Sequence, residues 1–258
     1  MKISIITPCF NSAATLVDTI ESVLSQSYGD IEHVIVDGGS KDDTIAIIRR
    51  YEPRYEGRLR WVTAPDQGIY DAMNKGIRMA SGDVVGILNS DDFFTSPEIA
   101  AVIARNIDGH QAVYGDVCYF SDTTRKVVRY YSSRAFRPWQ MRFGFMPAHP
   151  SFYCRKYLFD EIGYFNTDYK IAADFDLILR FIMINRIDAV YIDHNFVNMR
   201  TGGISNSGLK SHKRIFSEPL KSYRANGIKS NFLFESLRYP VKIAELAMQK
   251  LSFRRRHL

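Results

Sequence analysis

Short apolar runs alternate along this chain with longer segments in which apolar residues recur about every three to four positions. Lys2 to Thr7 reads as a strand that stops at Pro8. Asn11 or Ser12 then caps a helix that turns Ala13, Leu16, Val17, Ile20, Val23 and Leu24 inward. Ile31 to Val36 is a second strand, ended by Asp37-Gly38-Gly39-Ser40. Ser40 caps the next helix, which carries Asp43 in its first turn and runs through Ile45, Ile48 and Arg49. Leu59 to Thr63 is a third strand, a helix follows over Ile69 to Ala80, and Val84 to Leu88 is a fourth strand. This alternation builds β-α-β units and a mostly parallel sheet. Strands apolar on both sides need helices on both faces. The expected fold class is therefore α/β, a doubly wound sheet flanked by helices.

The rhythm changes after residue 108. Ala112 to Phe120 and Lys126 to Tyr131 read as a hairpin around Ser121-Asp122-Thr123-Thr124. Arg134 to Met146 reads as an irregular loop, Phe175 to Ile184 as an amphipathic helix, and Ala189 to Asp193 as a late strand. Asn198 to Ser207 is polar and Gly-rich, the composition of a mobile loop. The expected division is a catalytic domain over 1–205, in halves 1–108 and 109–205, and a helical basic extension over 206–258.

With 258 residues, 46% hydrophobic and 24% charged, the chain has the makings of a soluble globular protein with a sizeable core. No apolar stretch reaches the length of a membrane span, since Leu177 to Ile184 is broken by Arg180. The N-terminal apolar run is too short for a signal peptide, so a cytoplasmic protein is expected. Cys9, Cys118 and Cys154 are odd in number and far apart, and read as reduced core residues. The net charge of +6 is misleading as an average. Residues 209–258 hold twelve Lys and Arg against three Glu, which leaves residues 1–208 net acidic by three.

Chemistry enters at Asn89-Ser90-Asp91-Asp92, which follows the Val84 to Leu88 strand. A rigid strand here delivers two adjacent carboxylates. Such anions repel unless something positive sits against them. A hard divalent cation, Mg²⁺ or Mn²⁺, takes oxygen ligands and shares its shell with substrate phosphates. The plainer role for Asp91 or Asp92 is a helix cap, but Ser96-Pro97 already supplies one. In an open parallel sheet, ligands bind beyond the carboxyl ends of the strands. Thr7-Pro8-Cys9-Phe10-Asn11, Asp37-Gly38-Gly39-Ser40, Asp66-Gln67-Gly68 and Asn89-Ser90-Asp91-Asp92 all fall there. Neither a G-x-G-x-x-G dinucleotide fingerprint nor a P-loop is present.

Those four segments, with Asp37 to Asp42 and Asp66 to Gly76 taken in full, resemble the family 2 glycosyltransferases over roughly residues 1–205. The Gly68 to Gly76 stretch is similar to the subset that builds bacterial surface polysaccharides, including colanic-acid-type enzymes. The resemblance implies a GT-A fold, with a nucleotide-binding half over 1–108 and an acceptor half over 109–205. It implies that Pro8, Phe10 and Asn11 line the nucleotide pocket. Asp37 would bind the base edge or ribose, Asp66 would lie near the base, and Lys75 near the nucleotide or diphosphate. Asp91 would meet the ribose or metal, and Asp92 would hold the metal on the diphosphate. Many members carry Asp where this chain has Asn89, so one carboxylate of the usual cluster is missing.

The resemblance also assigns the catalytic base to Asp174, in Ala173-Asp174-Phe175-Asp176-Leu177. Independently, an acceptor hydroxyl must lose a proton as it attacks, and a carboxylate against an apolar wall is suited to take it. Asp174 also starts a helix, so it is a candidate N-cap, and the two roles are compatible. Asp176 lies inside that helix, facing solvent or pairing with Arg180. In similar enzymes the histidine that His149 resembles lies near the acceptor site, which makes it a secondary candidate. Arg200, ahead of Gly202 and Gly203, is a candidate cation for the leaving group.

From Phe232 to Leu251 apolar and basic residues interleave, and Arg254-Arg255-Arg256 follows. This pattern suits an anionic membrane surface as well as a helix packed on the catalytic domain. No nucleic-acid-binding motif accompanies it, so no nucleic-acid partner is expected. The expected activity is inverting, metal-dependent transfer of a sugar from a nucleotide-diphosphate donor to a glycan or polyprenyl-linked acceptor. The rivals are a sugar-1-phosphate nucleotidyltransferase and a non-catalytic nucleotide-sugar or membrane-surface binding protein.

Overall fold

A computed structural model describes residues 1–201, 209–231, 234, 236 and 237. Gly202, Gly203 and most of the basic stretch from Phe232 to Leu251 lie outside the described residues. In chain order the elements begin β1 (Ile3–Cys9), α1 (Leu16–Leu24), β2 (Ile31–Asp37), α2 (Thr44–Tyr51), β3 (Leu59–Thr63), α3 (Ile69–Met79) and β4 (Val84–Ile87). The second half adds β5 (Phe93–Phe94), α4 (Ile99–Asn106), β6 (Ala112–Ser121), β7 (Lys126–Tyr131), β8 (Phe152–Arg155) and α5 (Tyr157–Ile162). It ends with α6 (Ala173–Ile178), β9 (Ala189–Arg200) and α7 (Leu209–Ala225).

One sheet of nine strands runs β3-β2-β1-β4-β8-β6-β9-β5, with β7 paired to the outer part of β6. The four strands of the first half are parallel, as the alternating pattern predicts. The second half is mixed: β8 runs antiparallel to both β4 and β6, while β6 and β9 are parallel. The sheet as a whole is therefore mixed rather than mostly parallel.

Alternation along each strand sorts side chains to two cores. Ile6, Val34 and Val36 face α3 and α6. Ile3, Ile5 and Ile35 face α1, α2 and α4 on the opposite side. Both faces are covered, which is why these strands read as unbroken apolar runs. β1 passes through Pro8 to Cys9 instead of stopping. β4 ends at Ile87, level with Ile6, so Pro8 denies a hydrogen bond to no neighbour on that side.

Helix starts differ from the sequence pattern. α1 begins at Leu16, with Thr15 at its N-cap, because residues 11–13 are held in a loop. Ser40 Oγ accepts from Asn11 N at 2.7 Å, and Asp42 accepts from Ala13 N at 3.0 Å. Ser40 does not cap α2; Asp43 occupies that position. α4 starts after Glu98 rather than at Ser96-Pro97. α6 continues as a π-helical turn over Leu179–Ile184, with the Asn185 amide donating to the Arg180 carbonyl.

The central strands approach closely at one glycine. A Cβ built on Gly86 would lie 1.9 Å from the Tyr153 ring, and Tyr153 is fully buried. Gly86→Ala is therefore expected to lower unfolding free energy by about 1–3 kcal/mol, as overpacking does. Urea denaturation checks this, and an unchanged midpoint would contradict the close packing.

Candidate active site

The carboxyl ends of β1, β2, β3 and β4 bring three acidic loops to one edge of the sheet. Asp37 ends β2 and is fully buried. It accepts from the amides of Gly39 and Ser40 at 3.0 Å, from Thr63 Oγ1 at 2.6 Å, and from the Ser40 hydroxyl. Burial works against ionisation of Asp37, but these hydrogen bonds outweigh it and hold the pKa below its ordinary value. Its carboxylate thus shapes the turn. Gly38 matters for closeness: a Cβ there would lie 2.5 Å from the Asp66 carboxylate and 3.4 Å from the Phe10 ring.

Phe10 presents 59% of its surface to solvent beside that turn. Asn11 has a positive φ of 50°, and its side-chain oxygen accepts from the Lys41 amide at 2.9 Å. Pro8 lies opposite Val36 within the sheet. Asp66 accepts from the Gly68 amide at 2.9 Å. Lys75 bonds to the Pro65 carbonyl at 3.1 Å and pairs with Asp71 at 2.9 Å. Pro8, Phe10, Asn11, Asp37, Asp66 and Lys75 thus fall on β1, β2, the segment after β3, and α3 along one rim.

The Asn89-to-Asp92 turn divides its two carboxylates. Asp92 is 2% exposed and points inward. One oxygen accepts from the Arg200 amide at 3.1 Å, and the other from Asn89 Nδ2 at 3.1 Å. Its own carbonyl takes the Thr19 hydroxyl at 2.7 Å. Burial first, and the neighbouring Asp91 charge second, push its pKa well up. Asp91 is partly exposed, and burial raises its pKa as well. Asp92 is therefore seated as a structural acceptor, while Asp91 faces the rim. Asn89 suits this arrangement, since its amide donates to Asp92 where an Asp would meet carboxylate with carboxylate.

Arg200 differs from the expected free cation. It is 9% exposed. Its guanidinium pairs with Asp18, with Asp122 at 2.8 Å, and with the Asp91 carbonyl at 2.8 Å. It stacks on the Phe93 ring 5.2 Å away. Its charge is committed to bracing the acidic turn against β9.

Asp174 and His149 meet on the other side. His149 Nδ1 lies 3.4 Å from Asp174 Oδ2. Asp174 accepts from the Phe175 amide at 2.8 Å. Burial raises its pKa, against the opposing pull of His149 and of that amide. Burial lowers the pKa of His149, while Asp174 and Asp91 both act to raise it. One partly buried histidine thus feels both carboxylates. A pocket with walls of Val85, Ile87, Phe152, Phe165 and Leu177 opens onto the same pair. It supplies the apolar wall that raises a carboxyl pKa.

Among the described residues, no group of three or more His, Cys, Asp or Glu forms a closed metal cage. Mg²⁺ and Mn²⁺ do not require one, because substrate phosphates and water complete their shells. Two buried polar atoms at this site, Asn89 Oδ1 and His149 Nε2, have no hydrogen-bond partner among the described residues. An unused amide oxygen beside a partly exposed carboxylate fits a hard cation. Asp176 does pair with Arg180, at 2.9 Å, but inside the protein. Sequence reasoning missed Tyr70, whose hydroxyl donates to the Ile171 carbonyl at 2.6 Å just ahead of Asp174. It also missed the contacts from α7. Tyr70 lies within the Asp66 to Gly76 motif, but nothing local marks its partner a hundred residues on, and the α7 residues belong to no motif.

The chain matches the model for Glycosyl transferase family 2 over residues 4–170. A PGL/p-HBAD biosynthesis glycosyltransferase of Mycobacterium bovis (strain BCG / Pasteur 1173P2) is 36% identical over 180 residues, covering 69% of this chain and 68% of the relative. S. aureus TarS 1-349 in complex with UDP-GlcNAc has a TM-score of 0.65 at 19% identity, covering 87% of this chain and 73% of that one. A longer TarS chain is covered over 43% of its length. The mannosyltransferase PcManGT from Pyrobaculum calidifontis, in complex with GDP-Man and Mn2+, has a TM-score of 0.62 at 18% identity, covering 85% and 64%. The two structures share the GT-A-type architecture of the sheet. On the family match across residues 4–170 and the identity to its relative, the chain belongs to glycosyl transferase family 2.

Proposed function

We propose that this enzyme is an inverting, metal-dependent glycosyltransferase that moves a sugar from a nucleotide-diphosphate donor to a glycan or polyprenyl-linked acceptor. The observation that carries the reading is the pair Asp174 and Asp91 set about one partly buried histidine. The donor's nucleotide lies along the rim of Pro8, Phe10, Asn11, Asp37, Asp66 and Lys75. The exposed Phe10 ring offers a face to the base, and the absent side chain of Gly38 lets the Asp66 carboxylate close in beside it. Asp91, with Asn89 Oδ1 beside it, would hold Mn²⁺ or Mg²⁺, and Asp92 fixes Asn89 from behind. A bound ion of this kind neutralises charge on the departing diphosphate.

Asp174 takes the proton of the acceptor hydroxyl. The acceptor oxygen attacks the anomeric carbon from the side opposite the diphosphate. The bond from that carbon to the diphosphate oxygen breaks, and the nucleoside diphosphate leaves. An α-linked donor thereby becomes a β-linked product. Surface-polysaccharide assembly on the cytoplasmic face of the membrane is the setting proposed, with the basic tail at an anionic lipid surface. Among the described residues no helix is long and apolar enough to cross a membrane.

Slow hydrolysis of nucleotide sugars tests the reading. Incubation with UDP-GlcNAc, UDP-glucose or GDP-mannose and Mn²⁺ is expected to release a nucleoside diphosphate from one of them. Inorganic pyrophosphate released from a sugar-1-phosphate and a nucleoside triphosphate would replace the reading with nucleotidyl transfer.

A further inference from the structure

Helix α7 lies beyond the residues that the family model matches, yet it grips the segment that carries Asp174. Its Glu218 carboxylate accepts from the amides of Lys170 at 3.0 Å, Ile171 at 2.8 Å and Ala172 at 3.0 Å. These are the amides that lead into α6. Ala172, at the N-cap of α6, has no side chain able to cap the helix, and the first-turn amide of Phe175 is taken by Asp174 itself. One turn further along α7, Ser222 Oγ donates to Asp176 Oδ1 at 2.6 Å, and Asn226 Nδ2 reaches the same oxygen at 3.3 Å. Tyr223 packs edge-on against Phe175 at 5.4 Å and donates its hydroxyl to the Met141 carbonyl. On the far side, Tyr70 of α3 holds the Ile171 carbonyl. The amide of residue 171 is thus fixed by α7 and its carbonyl by α3.

We propose that Glu218, by holding the three amides that lead into α6, fixes the start of that helix and with it the place of the Asp174 carboxylate. An Asp at the start of a short helix is drawn to the free amides there. Asp174 takes the Phe175 amide in this way, while Glu218 takes the three amides ahead of the helix, so the turn that carries the base is held from both sides. Glu218 is therefore a positioning residue for Asp174, and Ser222 secures the same helix through Asp176. The inference rests on Asp174 as the base.

Glu218→Ala and Glu218→Gln in the full chain test it, with the donor that the hydrolysis screen identifies. Removing that anchor frees the segment ahead of α6, and Asp174 with it, to shift. Displacement of a catalytic group by about 1 Å costs about 100-fold in rate, so kcat of Glu218→Ala should fall on that order while donor KM and nucleoside-diphosphate affinity stay within about 3-fold. Glu218→Gln keeps volume and one acceptor oxygen, and is expected to recover about 10-fold of that loss. A folded Glu218→Ala with unchanged kcat overturns the proposal. So does a parallel loss of kcat and donor affinity with no recovery in Glu218→Gln, which marks a merely structural contact. If the alanine variant does not fold, Glu218→Gln is compared with Ser222→Ala, and kcat equal to that of the parent in both overturns it. The base assignment fails separately, through retained transfer in Asp174→Asn.

Discussion

Asp174→Asn is expected to lower transfer by about 10²- to 10⁴-fold, the usual worth of a general base, while nucleoside-diphosphate affinity stays within about 2-fold. The side chain keeps its size and its acceptor oxygen for the Phe175 amide, so only the ability to take a proton is lost. The pH dependence follows from burial. Burial raises the pKa of Asp174, and the base works only when ionised. The acid limb of kcat should therefore lie above the ordinary carboxyl value of about 4. Stability moves the other way. A carboxyl whose folded pKa is raised adds stability below its unfolded pKa and loses it as pH rises through the folded value. At neutral pH the parent thus carries the cost of a buried charge that the Asn variant lacks. The variant should melt higher than the parent near pH 7, with the difference closing toward pH 4. A variant that melts lower at neutral pH, or one that still transfers sugar, removes Asp174 from the role.

Much of the nucleotide half is legible in the chain because it is local. Each strand there is one apolar run, and each ends in a polar loop a few residues long, so the loops that must converge can be named in order. The same locality explains the errors. Ser40 looks like a helix cap from its neighbours, but its hydroxyl is taken by Asp37 and its oxygen by the Asn11 amide. Asp91 and Asp92 look alike in sequence; only the distant Arg200 amide decides which one turns inward. Strand β8 is four residues between two antiparallel neighbours, too short to show a period. Late strand β9 runs on to Arg200 because its outer half is held by β6 and β5. The links from Glu218 to residues 170–172 span 46 to 48 positions, and nothing in either segment announces the other.

Asp91→Ala and Asp92→Ala are expected to fail in different ways. Partners behind a metal ligand are themselves worth about 10- to 100-fold in metal affinity, so removing the ligand Asp91 should cost at least about 100-fold in Mn²⁺-dependent nucleotide binding. Among the described residues its side chain makes no hydrogen bond to β9, so the melting temperature should stay near that of the parent. Asp92 is the reverse case. Truncating it leaves the buried Arg200 amide and Asn89 amide without their acceptor, which costs about 1–3 kcal/mol for each group left unpaired. Nucleotide binding should weaken only as far as Asn89 loosens. Calorimetric titration of a nucleoside diphosphate with and without Mn²⁺, set beside thermal unfolding, separates the two outcomes. If Asp92→Ala keeps its stability and loses the metal effect, the inward carboxylate is the ligand and Asp91 the support. Binding that depends on neither residue would take the cation away from this turn altogether. What then remained at the rim would be a nucleotide cleft whose diphosphate charge is met by Lys75, the only cation described along that edge with its ammonium on a backbone carbonyl and a single carboxylate.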